Sequence, residues 1–512
     1  MKFTTLFNRL MLGLVVTGMM APGLVQAIGP KTGQSKAKSG ISKVVLPSQS
    51  PLITIRVMFR AGSAYDPPGK EGIAKLTAGL IEEGGSQSMT FKDILKKLYP
   101  MAADVSVKVE KETVTMVGEV HKDHLDKFYA IFSDVLLHPR FEQAEFDRVR
   151  EDAVNYLKTS LRSTNDEEFG KQTLETEIFR GHAYDHVIGG SVRSLNALKL
   201  EDVKAFYQEY YTQANLMIGV AGDVPKTFVA QMEKDFSALP VGKPADLRAG
   251  TITPPSGLEV TLIEKDTDAT AVSLGFPVNV TRKDSEFYAL LVANSYLGEH
   301  RTFNGVLMQN MRGKRGLNYG DYSYVEHFVQ EGGSTFALPN VPRQKQYFSI
   351  WIRPVPNAVR LFALREAMWE TDRLVKNGMT QEQFESTRKF LLNYSRLWVQ
   401  TLSRRLGYRM DSKFYGIEDY IQEIQTRLPK LTLAEVNAAI KKHLNSQSFK
   451  VVMITRDAES LKQHMLANTV SPMKYDSTTP DDILKEDKEI EKFPLAATEK
   501  KIRIVKAEEM FE

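Results

Sequence analysis

The sequence predicts an α+β fold made of two similar domains in tandem, each a mostly antiparallel sheet covered by helices on one face. Three observations carry this. Strand-like and helix-like stretches alternate through residues 44–242. The order of those stretches repeats from about Leu258 onward, although the residues do not. The Pro/Gly-rich stretch between Leu239 and Gly257 separates the two runs. The expected layout is a first domain over 44–242, an interdomain linker over 243–257, a second domain over 258–465 and an extended tail over 466–512.

The N-terminus precedes all of this. Lys2 and Arg9 flank an apolar run over 10–20, and small residues at Val25-Gln-Ala27 follow, the pattern of a cleavable signal peptide over 1–27. The apolar run is shorter than the ~20 residues that span a bilayer; an uncleaved anchor is the alternative. Residues 28–43, rich in Gly, Ser and Lys, read as a flexible linker. The chain contains no Cys, which excludes disulfides and a lipid-modified cysteine. A secreted, disulfide-free chain points to the periplasm. With 42% hydrophobic and 25% charged residues the composition is globular. The formal charge of +4 drops to +2 once Lys2 and Arg9 leave, too little to suggest a nucleic-acid partner.

Within the first half, residues 53–59 alternate and are rich in β-branched side chains, a strand that runs into a loop at residues 62–72. Pro67, Pro68, Gly69 and Gly72 punctuate that loop. Ile73, Leu76, Leu80 and Ile81 then recur at helical spacing until Gly84-Gly85 ends the helix. Two strands at 103–109 and 113–120 flank a charged turn, Glu110-Lys-Glu112. Helices follow over 122–137, 143–161 and 196–211, and a strand over 214–223 closes the half. In the second half the strands fall at 260–264 and 271–276, with a helix over 286–297. The tail is too rich in Pro and charge to build a core. It either wraps the second domain or reaches a partner, and residues 502–505 have the pattern of one edge strand.

The stretch Gly62-Ser-Ala-Tyr-Asp-Pro-Pro-Gly-Lys-Glu-Gly-Ile-Ala-Lys75 to Gly84 resembles the zinc-site helix of the insulinase (pitrilysin-type, inverzincin) peptidases. There two His one turn apart hold zinc, an intervening Glu activates water, and a Glu on a later helix completes the site. Laid on this chain, those positions are Lys75, Ala78, Gly79 and Tyr156. An ammonium repels a divalent cation, a methyl group and a hydrogen offer no donor, and a phenol is a poor substitute for a carboxylate ligand. The resemblance extends to residues 181–189 and 200–223, and to Leu307-Met-Gln-Asn-Met-Arg312-Gly-Lys-Arg315-Gly-Leu-Asn-Tyr319. In the family, the Arg and Tyr of that last motif hold the substrate backbone or the carbonyl under attack, so Arg312 and Tyr319 are the implied substrate-binding pair. A guanidinium fork and a phenol suit that task.

The resemblance thus implies a zinc-less subunit, binding no cofactor itself and active only beside a homologous subunit that carries the zinc. It would supply an Arg/Tyr clamp to that partner's site for unfolded peptide substrates. The alternative is an inert peptide-binding or scaffold protein of the same fold with no enzymatic partner. An autonomous peptidase would need a replacement metal site. His121 with His124, and His182 with His186, are read as solvated and structural rather than as ligands, and Gly332-Gly333 as a turn. No phosphate-binding glycine loop or serine nucleophile elbow occurs.

Overall fold

The computed structural model describes residues 40–248, 250–330 and 334–512. The expected signal peptide, residues 28–39 of the expected 28–43 linker and the Gly332-Gly333 turn lie outside the described residues. Residues 41–512 form one unit.

Two sheets organise it. The first comprises β1 (Ser42–Pro47), β2 (Leu52–Phe59), β3 (Asp104–Val109), β4 (Val114–His121) and β5 (Leu216–Gly222), in the order β1-β5-β2-β4-β3. The second comprises β6 (Leu258–Glu264), β7 (Ala269–Val278), β8 (Asp321–Tyr324), β9 (Gln346–Pro356), β10 (Phe449–Thr455) and β11 (Ile502–Lys506), in the order β11-β6-β10-β7-β9-β8. Without β11 the two orders are the same. β1 pairs parallel with β5 as β6 does with β10, and the other ladders of the shared order are antiparallel. The repeat seen in the order of sequence elements is therefore a repeat of topology. β1 starts at Ser42, inside the stretch expected to be linker.

The parity of buried residues reveals a feature the sequence did not. Successive side chains on a strand point to opposite faces. On β2, Ile53, Ile55, Val57 and Phe59 join the core of the first half, while Met58 faces the other way and meets Leu406 and Met410. Those two belong to the helix Leu402–Tyr415 of the second half, which lies across β1, β2 and β5. Reciprocally, the helix Asp166–Ile178 of the first half lies on β7, β9 and β10. There Phe169, Leu174 and Ile178 share a core with Ala271, Tyr347 and Ile454. Each half thus lends one helix to the far face of the other's sheet. Gly219 on β5 permits this, because a Cβ there would stand 2.4 Å from the Met410 sulfur. Burial of Leu406 and Met410 contributes about 1.5–3 kcal/mol each to the join.

The same join buries charge. The turn Glu110-Lys111-Glu112 is at most 3% exposed. Glu110 accepts from His327 Nε2 at 3.1 Å. Glu112 accepts from the Gln344 backbone N–H at 2.6 Å, from its side-chain amide at 3.0 Å and from the Tyr184 hydroxyl. Arg343 donates to Glu175 at 2.8 Å. Burial works against ionising Glu175, yet Arg343, Lys111 and His327 outweigh it and hold the carboxyl at about 2. The partners come from both halves, so the contact between them is charged as well as apolar.

The tail contains a helix, Asp481–Ile490, and β11, so it is not extended throughout. The helix packs on Arg360–Asn377, and β11 pairs parallel with β6 at the sheet edge. The last residues then cross to the first half. Phe511 and Glu512 carbonyls accept from Val192 and Arg193, and Arg162 donates to Glu512 at 3.0 Å. No helix among the described residues is long and apolar enough to cross a membrane.

Candidate functional site

The first constellation lies on the helix Ile73–Glu83. Asp66 caps it from the preceding loop, its carboxylate accepting from the N–H groups of Gly72 at 2.7 Å and Ala74 at 3.0 Å. Gly72, at φ 95°, takes the left-handed turn that admits the helix. Ile73, Leu76, Ala78, Leu80 and Ile81 are buried, and the helix packs on Gln143–Asn155, Leu200–Tyr210 and β3. Lys75 is exposed, Ala78 is 1% exposed, and Gly79 is half-buried with a would-be Cβ 2.9 Å from Val149 Cγ1. Tyr156, 44% exposed, opens a π-helix over Tyr156–Leu161. None of the four positions that the resemblance aligns with the zinc site carries an imidazole or a carboxylate, and Lys75 and Tyr156 point to solvent. At Gly79 a side chain would in addition require Val149 to shift, its Cγ1 standing 2.9 Å from the Cβ position. Among the described residues no three His, Cys, Asp or Glu gather closely enough to hold a metal ion.

His186 belongs to the support of this helix. It lies 3.2 Å from Asp66 and 3.7 Å from Asp185. Burial lowers its proton affinity, but the two carboxylates outweigh burial and raise it above the ordinary histidine value.

The second constellation lies in the other half. The π-helix Met308–Lys314 carries Arg312, and buried Met308, Asn310 and Met311 anchor it. Gly316, at φ 62°, ends it with two bonds, Gly316 N–H to the Arg312 carbonyl at 2.9 Å and Leu317 N–H to the Met311 carbonyl at 3.0 Å. Each bond spans one residue more than in a Schellman cap, the wider form that a π-helical last turn gives. Asn318 then turns the chain, its side chain accepting from Gly320 N–H and donating to Asp321 and the Arg353 carbonyl. Tyr319 sits at the tip of this turn and is 78% exposed. The Arg312 guanidinium is half-buried and lies 5.4 Å from the centre of the Phe303 ring, itself 62% exposed. Among the described residues Arg312 forms no ion pair. Both constellations thus include a π-helical turn, a distortion often found at functional sites.

Arg315, three residues on, is the opposite case. It is buried and donates at 2.8 Å to Glu366, Glu486 and Asp487. Its role is structural: it fastens the Arg312 segment to the tail helix. Burial pushes Glu366 well above the ordinary carboxylate range and Glu370 up to about 7. The two constellations sit in separate cores, the Ile73 helix in the first and Leu307, Met311 and Leu317 in the second. Sequence reasoning missed Phe303, whose surroundings, Arg301-Thr-Phe-Asn304, carry no periodicity or spacing that marks a site.

Two family profiles match the chain. The insulinase (peptidase family M16) profile matches residues 43–189, and the peptidase M16 inactive domain profile matches 197–391. The chain belongs to the insulinase (M16) family, and its two halves are M16-like domains. A Helicobacter pylori protein called non-peptidase homolog YmxG is 24% identical over 414 residues, covering 78% of this chain and 89% of the relative. The peptidase M16 inactive domain from Pseudomonas fluorescens superposes with a TM-score of 0.72 at 22% identity, covering 81% of this chain and 96% of that one. The periplasmic protease PqqL from Escherichia coli superposes with a TM-score of 0.63 at 16% identity, covering 90% of this chain and 50% of that one. The solved structures support the insulinase fold.

Proposed function

We propose that this chain is the zinc-less subunit of a periplasmic zinc metallopeptidase heterodimer, exported by the leader at 1–27. A homologous partner supplies metal, general base and water, and this chain supplies Arg312 and Tyr319 to hold the unfolded peptide. The observation that carries the reading is Arg312 itself. Its guanidinium is half-exposed, without a counter-ion among the described residues, and it lies over the exposed Phe303 ring on a π-helical turn, seven residues before the exposed Tyr319. An unneutralised fork of donors at such a place suits a peptide carbonyl or carboxylate. The all-apolar or donor-free replacements at Ala78 and Gly79, and the Helicobacter relative's designation as a non-peptidase, support the division of labour. The periplasmic neighbour PqqL is consistent with the compartment.

The test is reconstitution. The mature chain is mixed with a zinc-bearing insulinase-family protein encoded beside it, and chelator-sensitive cleavage of an unfolded peptide is followed. Wild type is expected to accelerate the partner, and Arg312→Ala to lower kcat/KM of the complex by about 100-fold. Equal rates with either form, or no acceleration by either, overturn the proposal, and the second outcome favours the scaffold alternative.

A further inference from the structure

A cavity of about 50 Å³ lies in the second half, below the end of the helix Ser285–Gly298, with Asn294, Glu299, Tyr324, Phe328, Trp398 and Tyr420 among its walls. Most charges around it are matched. Glu326 is held by Arg282 through bonds of 3.0–3.2 Å. His327 is held by Glu110. Arg404 donates to the carbonyls of Trp398 and Ala337. His300 lies 2.7 Å from the Tyr324 hydroxyl, and burial drops its affinity for a proton to about 3, which leaves the ring neutral.

Glu299 is the exception. Among the described residues its carboxylate accepts one hydrogen bond, from Ser295 at 2.8 Å, and no cation acts on it. Burial therefore pushes it up to about 7. Among the described residues four more side-chain atoms of wall residues lack a hydrogen-bond partner: Asn294 Oδ1, an acceptor, Trp398 Nε1, a donor, and the ring nitrogens His300 Nε2 and His327 Nδ1. A carboxylate removed from water without a counter-ion is costly and marks a candidate site. Here it shares a cavity with a spare carbonyl and four aromatic rings.

We propose that this cavity binds the end of a primary alkylammonium group. Glu299 is the counter-ion and Asn294 Oδ1 accepts a second N–H. The third N–H donates to a water whose oxygen accepts from Trp398 Nε1. Phe328, Tyr324, Trp398 and Tyr420 enclose the methylene stem, where cation–π attraction adds to burial. An anion is disfavoured by Glu299, and a neutral alkyl group leaves Glu299, Asn294 and Trp398 unpaired. The volume admits the tip of a chain rather than a whole residue. The loop that begins at Glu299 also carries Phe303, four residues on, the ring beneath Arg312 in the segment assigned to peptide. A substrate lysine as the natural source of the ammonium rests on that assignment; binding of the amine does not.

The experiment is calorimetric titration of the mature chain at pH 7 with n-butylammonium chloride, n-butanol and sodium butyrate. Butylammonium is expected to bind with a Kd of about 1–10 mM and to expel part of a proton from Glu299, so that the heat differs between Tris and phosphate. The alcohol and the carboxylate give no saturable heat. Glu299→Gln weakens butylammonium by about tenfold and abolishes the buffer dependence, while its melting temperature rises because the unpaired carboxylate is gone. Equal binding by Glu299→Gln, equal binding of butanol, or no butylammonium binding at all overturns the proposal. A terminally blocked peptide with one lysine, compared with its norleucine counterpart, then separates the sources. Preference for lysine identifies a substrate subsite; butylammonium binding without that preference identifies a site for a free amine.

Discussion

Replacing Arg315 by Met tests how the proposed substrate-binding segment is held. The guanidinium is buried and bonds at 2.8 Å to three carboxylates, Glu366 on the helix beneath it and Glu486 and Asp487 on the tail helix. Asp487 is 4% exposed and has Tyr475 as its other partner. Removing one partner of a buried ion pair costs about 3–5 kcal/mol, because the remaining charge is left without compensation. For a cooperative unit of this size, with an unfolding entropy of about 2.1 cal/mol/K per residue, that corresponds to a fall in melting temperature of roughly 3–5 °C. The loss should be directional: hydrogen exchange at residues 481–490 and 308–319 rises, while the Ile73 helix is unaffected. Adding Asp487→Asn to Arg315→Met recovers part of the loss. The assay is differential scanning calorimetry with exchange mass spectrometry. A melting temperature within 1 °C of wild type, or exchange that rises equally in both halves, refutes the reasoning.

Three further outcomes are expected. Met410→Ala empties the contact between the Leu402 helix and the first sheet and costs about 2–5 kcal/mol; hydrogen exchange should rise across β1 and β5, and an unchanged melt contradicts the reciprocal packing. His186 holds its proton more tightly folded than unfolded, so the stability it gives is complete below the ordinary histidine value near 6.5 and is lost as pH rises through the higher folded value; the melting temperature should fall as pH is raised above about 6.5, and His186→Asn should flatten that slope. Rebuilding the family ligands as Lys75→His, Ala78→Glu, Gly79→His and Tyr156→Glu should not create a zinc site unless Val149→Ala is added, since a Cβ at 79 meets Val149 at 2.9 Å; zinc content by mass spectrometry of both variants decides this.

Strands β2, β4 and β5 and the Ile73 helix were legible because alternation, helical spacing and Gly punctuation are local signals. Repeat order gave the shared topology of the two sheets. The exchanged helices were not legible. Asp166–Ile178 and Leu402–Tyr415 carry apolar residues that fit equally well on their own sheet, and only the parity of β2 and β7 in three dimensions shows which face they cover. The turn Glu110-Lys-Glu112 read simply as a charged turn, because its partners, Glu175, His327, Arg343 and Gln344, are 60 to more than 200 residues away. The tail looked unable to fold by composition, and by itself that holds; its helix and strand exist against Arg315 and β6. Motif spacing singled out Arg312 and Tyr319 as candidates; their exposure, and the lack of an ion pair on Arg312 among the described residues, are read from the fold.

The most direct measurement is zinc stoichiometry together with peptide hydrolysis for the isolated, purified mature chain. No bound zinc after dialysis against micromolar metal, and no hydrolysis above background, is the result expected of side chains at 75, 78, 79 and 156 that offer neither ligands nor a base. One tightly held zinc per chain with turnover abolished by 1,10-phenanthroline contradicts it.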